Sequence, residues 1–299
     1  MTAPVPATTM TTTQLILSVK GLDTLPTLPV VALQLGELVH ARNVTVSQVA
    51  ELLRTDPATS AKLLRLVNSA YFGIPGGVAD VAKAIPFVGF NTLYQLVLSI
   101  TVLETLDAHA GKEVRALWLH SLAVATAARE LALEIRSPDP GSSFTAGLLH
   151  DMGKIALAKL EPEAFRAALR IASTEHVPMH VAEQAAGLPP HDRVGTALAR
   201  QWRFPATLAI PIEQHHDIHK PQVRGRLSAT LRTQTEIVAA ADFLAHACQN
   251  TFEGGPAVEP SPDMVALFER VGLSADQRSA VIDRARRSLE KSKVFLSVL

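Results

Sequence analysis

Gly147-Leu148-Leu149-His150-Asp151-Met152-Gly153-Lys154-Ile155 sets a histidine beside an aspartate at the end of an apolar run, with a lysine three residues later. The run should be buried, and buried ionisable groups are costly unless they are paired or bound to metal. Neutral imidazole nitrogen and carboxylate oxygen suit iron, manganese, zinc or nickel. Neighbouring side chains on a helix point about 100° apart. Asp151 could therefore bridge two ions while His150 holds only one. The alternative for an isolated His-Asp doublet is a capped, hydrogen-bonded polar pair near a helix end.

The rest of the chain supplies company for that doublet. His120 sits in Trp118-Leu119-His120-Ser121, and His191 in Pro190-His191-Asp192-Arg193-Val194-Gly195. His215-His216 is a second doublet, and Asp242 closes Val238-Ala239-Ala240-Ala241-Asp242. Each falls on a separate helical segment, on or beside an apolar face. Helices of a bundle that point such side chains inward build a metal site in its core. A buried polar network that holds no ion is the other reading of the same residues.

Composition agrees with a helical protein. The 299 residues are 47% hydrophobic, enough for a sizeable core, and aromatics are only 5%. Leu and Ala dominate, which favours helices. Lys+Arg and Asp+Glu are both 28, which argues against a nucleic-acid partner bound through a basic face. The single cysteine, Cys248, excludes an intramolecular disulfide and fits a reducing cytoplasm. The most apolar region, Ala84 to Leu106, is interrupted by Pro86, Asn91, Gln95 and Glu104, so no membrane span is expected. Met1 to Gln14 carries no Lys or Arg and lacks the basic start of a signal peptide.

Taken in order, residues 1–20 are expected to be a flexible tail. Leu28, Val31, Leu35 and Leu38 form the stripe of a first helix. Thr45 to Gln48 has capping-box spacing, and Asp56-Pro57 reads as an N-cap with Pro at the first helical position. That third helix runs to Asn68-Ser69, where Asn suits a left-handed C-cap. Further helices are expected at about 79–88, 91–106, 113–135, 144–159, 162–175, 178–186, 191–202, 205–216 and 228–249. Turns are expected over 137–143 and 220–226, with Lys220, Arg224 and Arg226 on a solvated loop. Residues 251–262 read as a linker and 263–299 as C-terminal helices. His40, His109, His176, His180, His219 and His246 are expected at the surface or in packing, and Trp118 and Trp202 in the core. No period-2 strand pattern is present.

Leu63-Leu64-Arg65-Leu66-Val67-Asn68-Ser69-Ala70-Tyr71-Phe72-Gly73, with Ala82-Lys83-Ala84-Ile85 and Val88-Gly89, resembles the N-terminal half of an HDOD domain, the HD-related output domain of bacterial signalling. Leu25-Pro26-Thr27-Leu28-Pro29 and Asp56-Pro57 also match. So does the stretch Glu183 to His216 through Gly187, His191, Gly195, Leu198, Trp202, Pro205 and His215-His216. The resemblance covers roughly residues 22–250. Val88 stands where the family usually has Leu, a conservative departure.

The resemblance implies an all-α fold, with an N-terminal helical half over 21–110 packed on an HD-like half over 111–250. HDOD domains are similar to HD metal-dependent phosphohydrolases, above all to HD-GYP cyclic di-GMP phosphodiesterases. His120, His150, Asp151, Lys154, His191, His215, His216 and Asp242 match the order of functional residues in those enzymes. By that match, His120, His150, Asp151 and Asp242 would hold one metal. Asp151 would bridge to a second, held by His191, His215 and His216, with Lys154 facing a phosphate as a catalytic residue. Up to two divalent transition ions are implied, iron or manganese ahead of zinc or nickel.

HDOD proteins often lack several of these residues and are generally regarded as non-catalytic, whereas this chain has the full set. It departs from HD-GYP enzymes after His216, where Asp217-Ile218-His219-Lys220-Pro221 replaces their substrate-associated segment. Ala116 stands where some of them place a glutamate for a third metal. The expectation is therefore a cytoplasmic regulatory protein that contacts a signalling partner in a two-component or cyclic-dinucleotide pathway. The alternative is a metal-dependent phosphohydrolase acting on a nucleotide or cyclic dinucleotide.

Overall fold

The computed structural model describes residues 28–39, 41–69, 72–107, 112–252 and 260–292, and among these every regular element is a helix. The expected tail, His40, His109 and residues 253–259 of the expected linker lie outside them. The N-terminal half begins with α1 (Val30–Val39) and α2 (Val46–Arg54). Thr45 opens α2 through a reciprocal capping box with Gln48. Helix α3 (Pro57–Val67) starts at Asp56, whose carboxylate accepts the Thr59 amide. Asn68 ends it, though in right-handed conformation at φ −80° and not in the expected left-handed cap. Its side-chain amide reaches across the loop instead, accepting from the Val78 N–H and donating to the Val78 carbonyl, both at 2.7 Å. The helix end is thereby tied to the start of α4 (Val81–Val88).

Gly89 then takes φ 79°, a value L side chains rarely adopt, and the chain bends by 115° into α5 (Phe90–Asp107). No single helix among the described residues is long and apolar enough to cross a membrane. The bent pair α4–α5 passes that test only when joined, and its Leu93, Leu96, Val97 and Ile100 are buried in the protein core.

The second half comprises α6 (Lys112–Glu134), α7 (Pro140–Leu149), α8 (Met152–Leu160), α9 (Pro162–Glu175), α10 (Met179–Ala185), α11 (His191–Gln201), α12 (Ala206–Gln214), α13 (Pro221–Arg226) and α14 (Ala229–Phe252). Then follow α15 (Pro262–Arg270) and α16 (Ala275–Ser292). Three further sequence expectations need correction. The turn expected over 137–143 is already helical from Pro140, because Asp139 caps it by accepting the Ser142 amide. The single helix expected over 144–159 is broken at His150-Asp151, where Asp151 has φ −102° and ψ 15°. Lys220 to Arg226 is also no open loop: Pro221 starts a short helix, and Arg224 pairs with Glu236 at 3.0 Å.

Helix α5 packs on α1, α3 and α4 on one side and on α7 on the other. One apolar cluster therefore runs from Leu28 through Leu93, Trp118, Leu148, Ile155 and Trp202 to Val238, without a break between the halves. A second cluster joins α6 and α14 to the last two helices through Leu131, Leu244, Phe268 and Val281. Helix α6 contributes to both, so its His120 lies where the layers meet.

Candidate metal centre

Separate elements bring the expected residues to one place. Helix α6 supplies His120, the α7–α8 break His150 and Asp151, the start of α11 His191, the end of α12 His215 and His216, and α14 Asp242. Close helix contact makes this possible. A Cβ on Gly147 would lie 2.9 Å from the Ala125 Cα, so glycine lets α7 press against α6. The break after Leu149 then sets both His150 and Asp151 at the centre, with the His150 Nε2 3.3 Å from Asp151 Oδ2.

Asp151 stands at the centre. Its Oδ2 is 2.6 Å from the Lys154 Nζ, 3.3 Å from the His150 Nε2 and 3.8 Å from the His120 Nε2. Its Oδ1 is 3.3 Å from the His191 Nε2 and 3.8 Å from the His215 Nε2. The two oxygens thus face two different groups of imidazoles. Asp242 Oδ1 closes the first group, 3.0 Å from the His120 Nε2 and 3.8 Å from the His150 Nε2. His216 closes the second, its Nε2 2.9 Å from the His191 Nε2.

The outer ring nitrogens are held by acceptors. His150 Nδ1 lies 2.7 Å from the Gly147 carbonyl, and His215 Nδ1 3.1 Å from those of Pro211 and Ile212. His191 Nδ1 donates to Glu183 at 2.9 Å, and the same carboxylate accepts the His191 backbone N–H at 2.8 Å. An acceptor at Nδ1 fixes the proton there and aims Nε2 at the centre, the arrangement usual behind metal-bound histidine.

Electrostatics follow from burial and proximity. Burial pushes the Asp151 carboxyl up, yet His150 and Lys154 outweigh it and hold Asp151 well below the usual carboxylate range. Asp242 is likewise held well below it, with His120 and His246 overcoming burial. Burial and the adjacent His150 push His215 down to about 3, so it is neutral at physiological pH. His216 is also pushed down, by burial and then by His215. His191 goes the other way: burial disfavours its charge, but Glu183 and Asp151 carry it up to about 9.

The donor set fits metal. His150 Nε2, His215 Nε2 and Asp151 Oδ1 are buried and make no hydrogen bond. Each such atom costs roughly 1–3 kcal/mol if left bare. All three belong to the same centre, and imidazole with carboxylate and no thiolate suits iron, manganese, zinc or nickel. His191, His215 and His216 offer ligand atoms within 4.8 Å of one another, as do His120, His150 and Asp151.

Three residues of this centre escape sequence reasoning. His246, expected at the surface or in packing, is exposed, yet its ring lies 4.4 Å from that of His120 and its Nε2 3.5 Å from Asp242 Oδ1. Its position four residues after Asp242 on one helix face was the available signal. His180 lies 5.0 Å from the His216 ring, with its Nδ1 buried and unbonded. Glu183, fully buried, opens the matching stretch Glu183 to His216, but no spacing rule joins it to His191. His176 is exposed, as expected. Lys154 is engaged by Asp151 and points into the centre.

A cleft of about 300 Å³ opens on the centre, lined by His215, His216 and Asp242 together with His219, His246, Phe243 and Met264. It lies against α15.

Comparison with known proteins shows the fold and the family. A crystal structure of an HDOD domain protein of unknown function from Geobacter sulfurreducens superposes with a TM-score of 0.70 at 21% identity, covering 96% of this chain and 97% of that one. A candidate phosphohydrolase from Shewanella amazonensis SB2B gives 0.68 at 23% identity, covering 94% and 97%. Both show the fold. An uncharacterized protein of Treponema pallidum (strain Nichols) is 29% identical over 225 residues, which are 74% of this chain and 43% of that protein. The chain thus spans less than half the length of that relative. The family model of the HDOD domain matches residues 25–218, more than half of the sequence, and the chain belongs to the HDOD family.

Proposed function

We propose that this HDOD protein binds two divalent transition ions, iron or manganese foremost, and hydrolyses a phosphoester at them. The observation behind this reading is the trio of buried, unbonded ligand atoms, His150 Nε2, His215 Nε2 and Asp151 Oδ1, gathered in one centre. A retained polar network would be expected to satisfy its own donors and acceptors. His120, His150, Asp151 and Asp242 would hold one ion, and Asp151, His191, His215 and His216 the other. Ions bound there supply an acidified water and neutralise charge in an in-line displacement at phosphorus. The chain's own residues do the positioning. Glu183 orients His191, the Gly147 carbonyl orients His150, and Lys154 keeps Asp151 ionised so that both of its oxygens remain available.

The test loads the purified protein with iron or manganese without oxygen, measures metal content, and assays bis(4-nitrophenyl) phosphate. Two ions per chain with turnover is the expected result, and Asp151→Asn should lose both. A chain that takes up no ion overturns the reading.

Signalling by contact alone, with the centre structural, is the second reading. The replaced segment after His216 favours it, as does Phe87, which is 62% exposed beside the half-exposed Leu133 at an apolar groove. Bound ions without turnover, together with a cellular phenotype that survives His150→Ala but not Phe87→Ser, would select it. The partner would then be a separate signalling protein.

A further inference from the structure

The cleft that leads to the centre says what size and charge of phosphoester it accepts. This inference rests on the functional reading above. At about 300 Å³ the cleft is at the lower end for small-molecule sites, roughly 300–1,000 Å³. Its inner end is the centre itself, through His215, His216 and Asp242. Much of its lining is apolar, through Ile218, Ala239, Phe243, Met264 and Leu267, and the imidazoles of His219 and His246 stand among them. Asp263 and Ser261 stand at the rim. No lysine or arginine is among the described residues that line it. Lys154, the cation of the centre, is already bound to Asp151.

A ligand with one phosphorus group can place it at the inner end and lay a ring along Phe243 and Met264. A second phosphate would lie further out, where the described lining residues offer the His219 and His246 imidazoles but no lysine or arginine, and where it faces the Asp263 carboxylate. Hydroxyls suit that rim, because Asp263 can accept from them. The outer wall, Met264 and Asp263, comes from α15, which lies after the family match ending at residue 218. We propose that the cleft is a specificity pocket for a sugar phosphate ester that bears one aromatic base and a single phosphate, of the nucleoside monophosphate class, open or cyclic, and that α15 provides the selective wall. A cyclic dinucleotide does not fit this description.

The experiment is calorimetric binding to the metal-loaded protein with four probes: inorganic phosphate, adenosine 5′-monophosphate, 3′,5′-cyclic AMP and cyclic di-GMP. A ring on an apolar wall contributes about ten-fold or more. One of the two mononucleotides should therefore bind at least about ten-fold more tightly than phosphate, and cyclic di-GMP no better than phosphate. Met264→Ala should reduce mononucleotide affinity and leave phosphate affinity unchanged. Asp263→Lys should raise affinity for cyclic di-GMP. Tightest binding of cyclic di-GMP by the unaltered protein overturns the proposal, as does an equal loss of phosphate and mononucleotide binding in Met264→Ala. A protein that takes up no metal fails the functional reading and this proposal together. One that takes up metal and binds phosphate, but gains nothing from the ring, fails this proposal alone.

Discussion

Gly153 and His191 are packed so tightly that a Cβ on Gly153 would collide with the His191 carbonyl oxygen and lie 2.7 Å from the Gly195 backbone nitrogen. Helices α8 and α11 cross at this point with bare backbone on both sides. The crossing brings the His191 Nε2 to 3.3 Å from Asp151 Oδ1 and so joins the two halves of the centre. Gly153→Ala must push the helices apart. Overpacking of this kind costs about 1–3 kcal/mol or more. The expected outcome is a lowered melting temperature and loss of one of the two ions by elemental analysis. Gly225→Ala, where a Cβ meets open space, is the control and should leave both readings unchanged. A Gly153→Ala protein with full metal content would show that the crossing does not set the site.

Glu183 carries no ligand atom into the centre, yet it holds both the ring and the backbone of His191. Replacing such an outer partner of a metal-binding histidine typically costs about 10–100-fold in metal affinity. Glu183→Gln keeps the shape and removes the charge. It should weaken binding of one ion by that factor in competition with a chelator. In the metal-free protein it should also bring the His191 pKa down from about 9, read by NMR titration of the ring. Unchanged affinity would reduce Glu183 to a packing role.

The residues that converge at the centre were legible in the sequence because each sits at a helix end or on an apolar face. Apolar spacing and caps marked α2 and α3 correctly for the same reason: Thr45-Gln48 and Asp56-Pro57 are local signals with local causes. The break between α7 and α8 was hidden, since Leu148 to Ile155 continues an apolar period across it. At the break Asp151 caps nothing; its carboxylate pairs with Lys154 three residues on and faces His191 of α11 with its other oxygen. Asn68 was misread in the same way: its partner Val78 is ten residues away, beyond any capping rule. Glu183 and the wall formed by α15 depend on how distant helices meet, and no local pattern carries that.

Acid and alkali should destabilise the metal-free protein through different histidines. An unfolded histidine titrates near 6.5. His215, pushed down to about 3, binds its proton less readily in the fold than in the unfolded chain. Its contribution to stability is complete above about pH 6.5 and is lost as pH falls toward 3. His216 and His246, also lowered, act in the same direction. His191, raised to about 9, does the reverse: its contribution is complete below about pH 6.5 and is lost as pH rises through 9. The urea midpoint should therefore peak near neutrality and fall on both sides. His215→Gln should flatten the acid limb and leave the alkaline one. An acid limb unchanged in that variant would mean that His215 is not the buried neutral base described here. Metal should compete with the His191 proton, so uptake in weakly buffered solution should release protons and tighten as pH rises toward 9.

The last two helices should matter through burial and not through their ion pairs. Phe268 on α15 is 2% exposed, packed in the second apolar cluster with Phe243 at 5.8 Å between ring centres and Arg278 over its face at 4.8 Å. Phe268→Ala should cost about 3–5 kcal/mol, the usual range for a buried aromatic. Arg284 on α16 pairs with Glu134 at 2.6 Å and with Glu130 at 3.4 Å, but it is one-third exposed. Solvent screens such a pair, and Arg284→Ala should cost less than about 1 kcal/mol. Denaturant unfolding of the two variants tests the order. The same comparison bears on function, because α15 also walls the cleft through Met264. Phe268→Ala should loosen that wall and weaken ligand binding at unchanged metal content, whereas Arg284→Ala should leave both alone. The reverse order would mean that charge, not the Phe268 cluster, holds α15 against the centre.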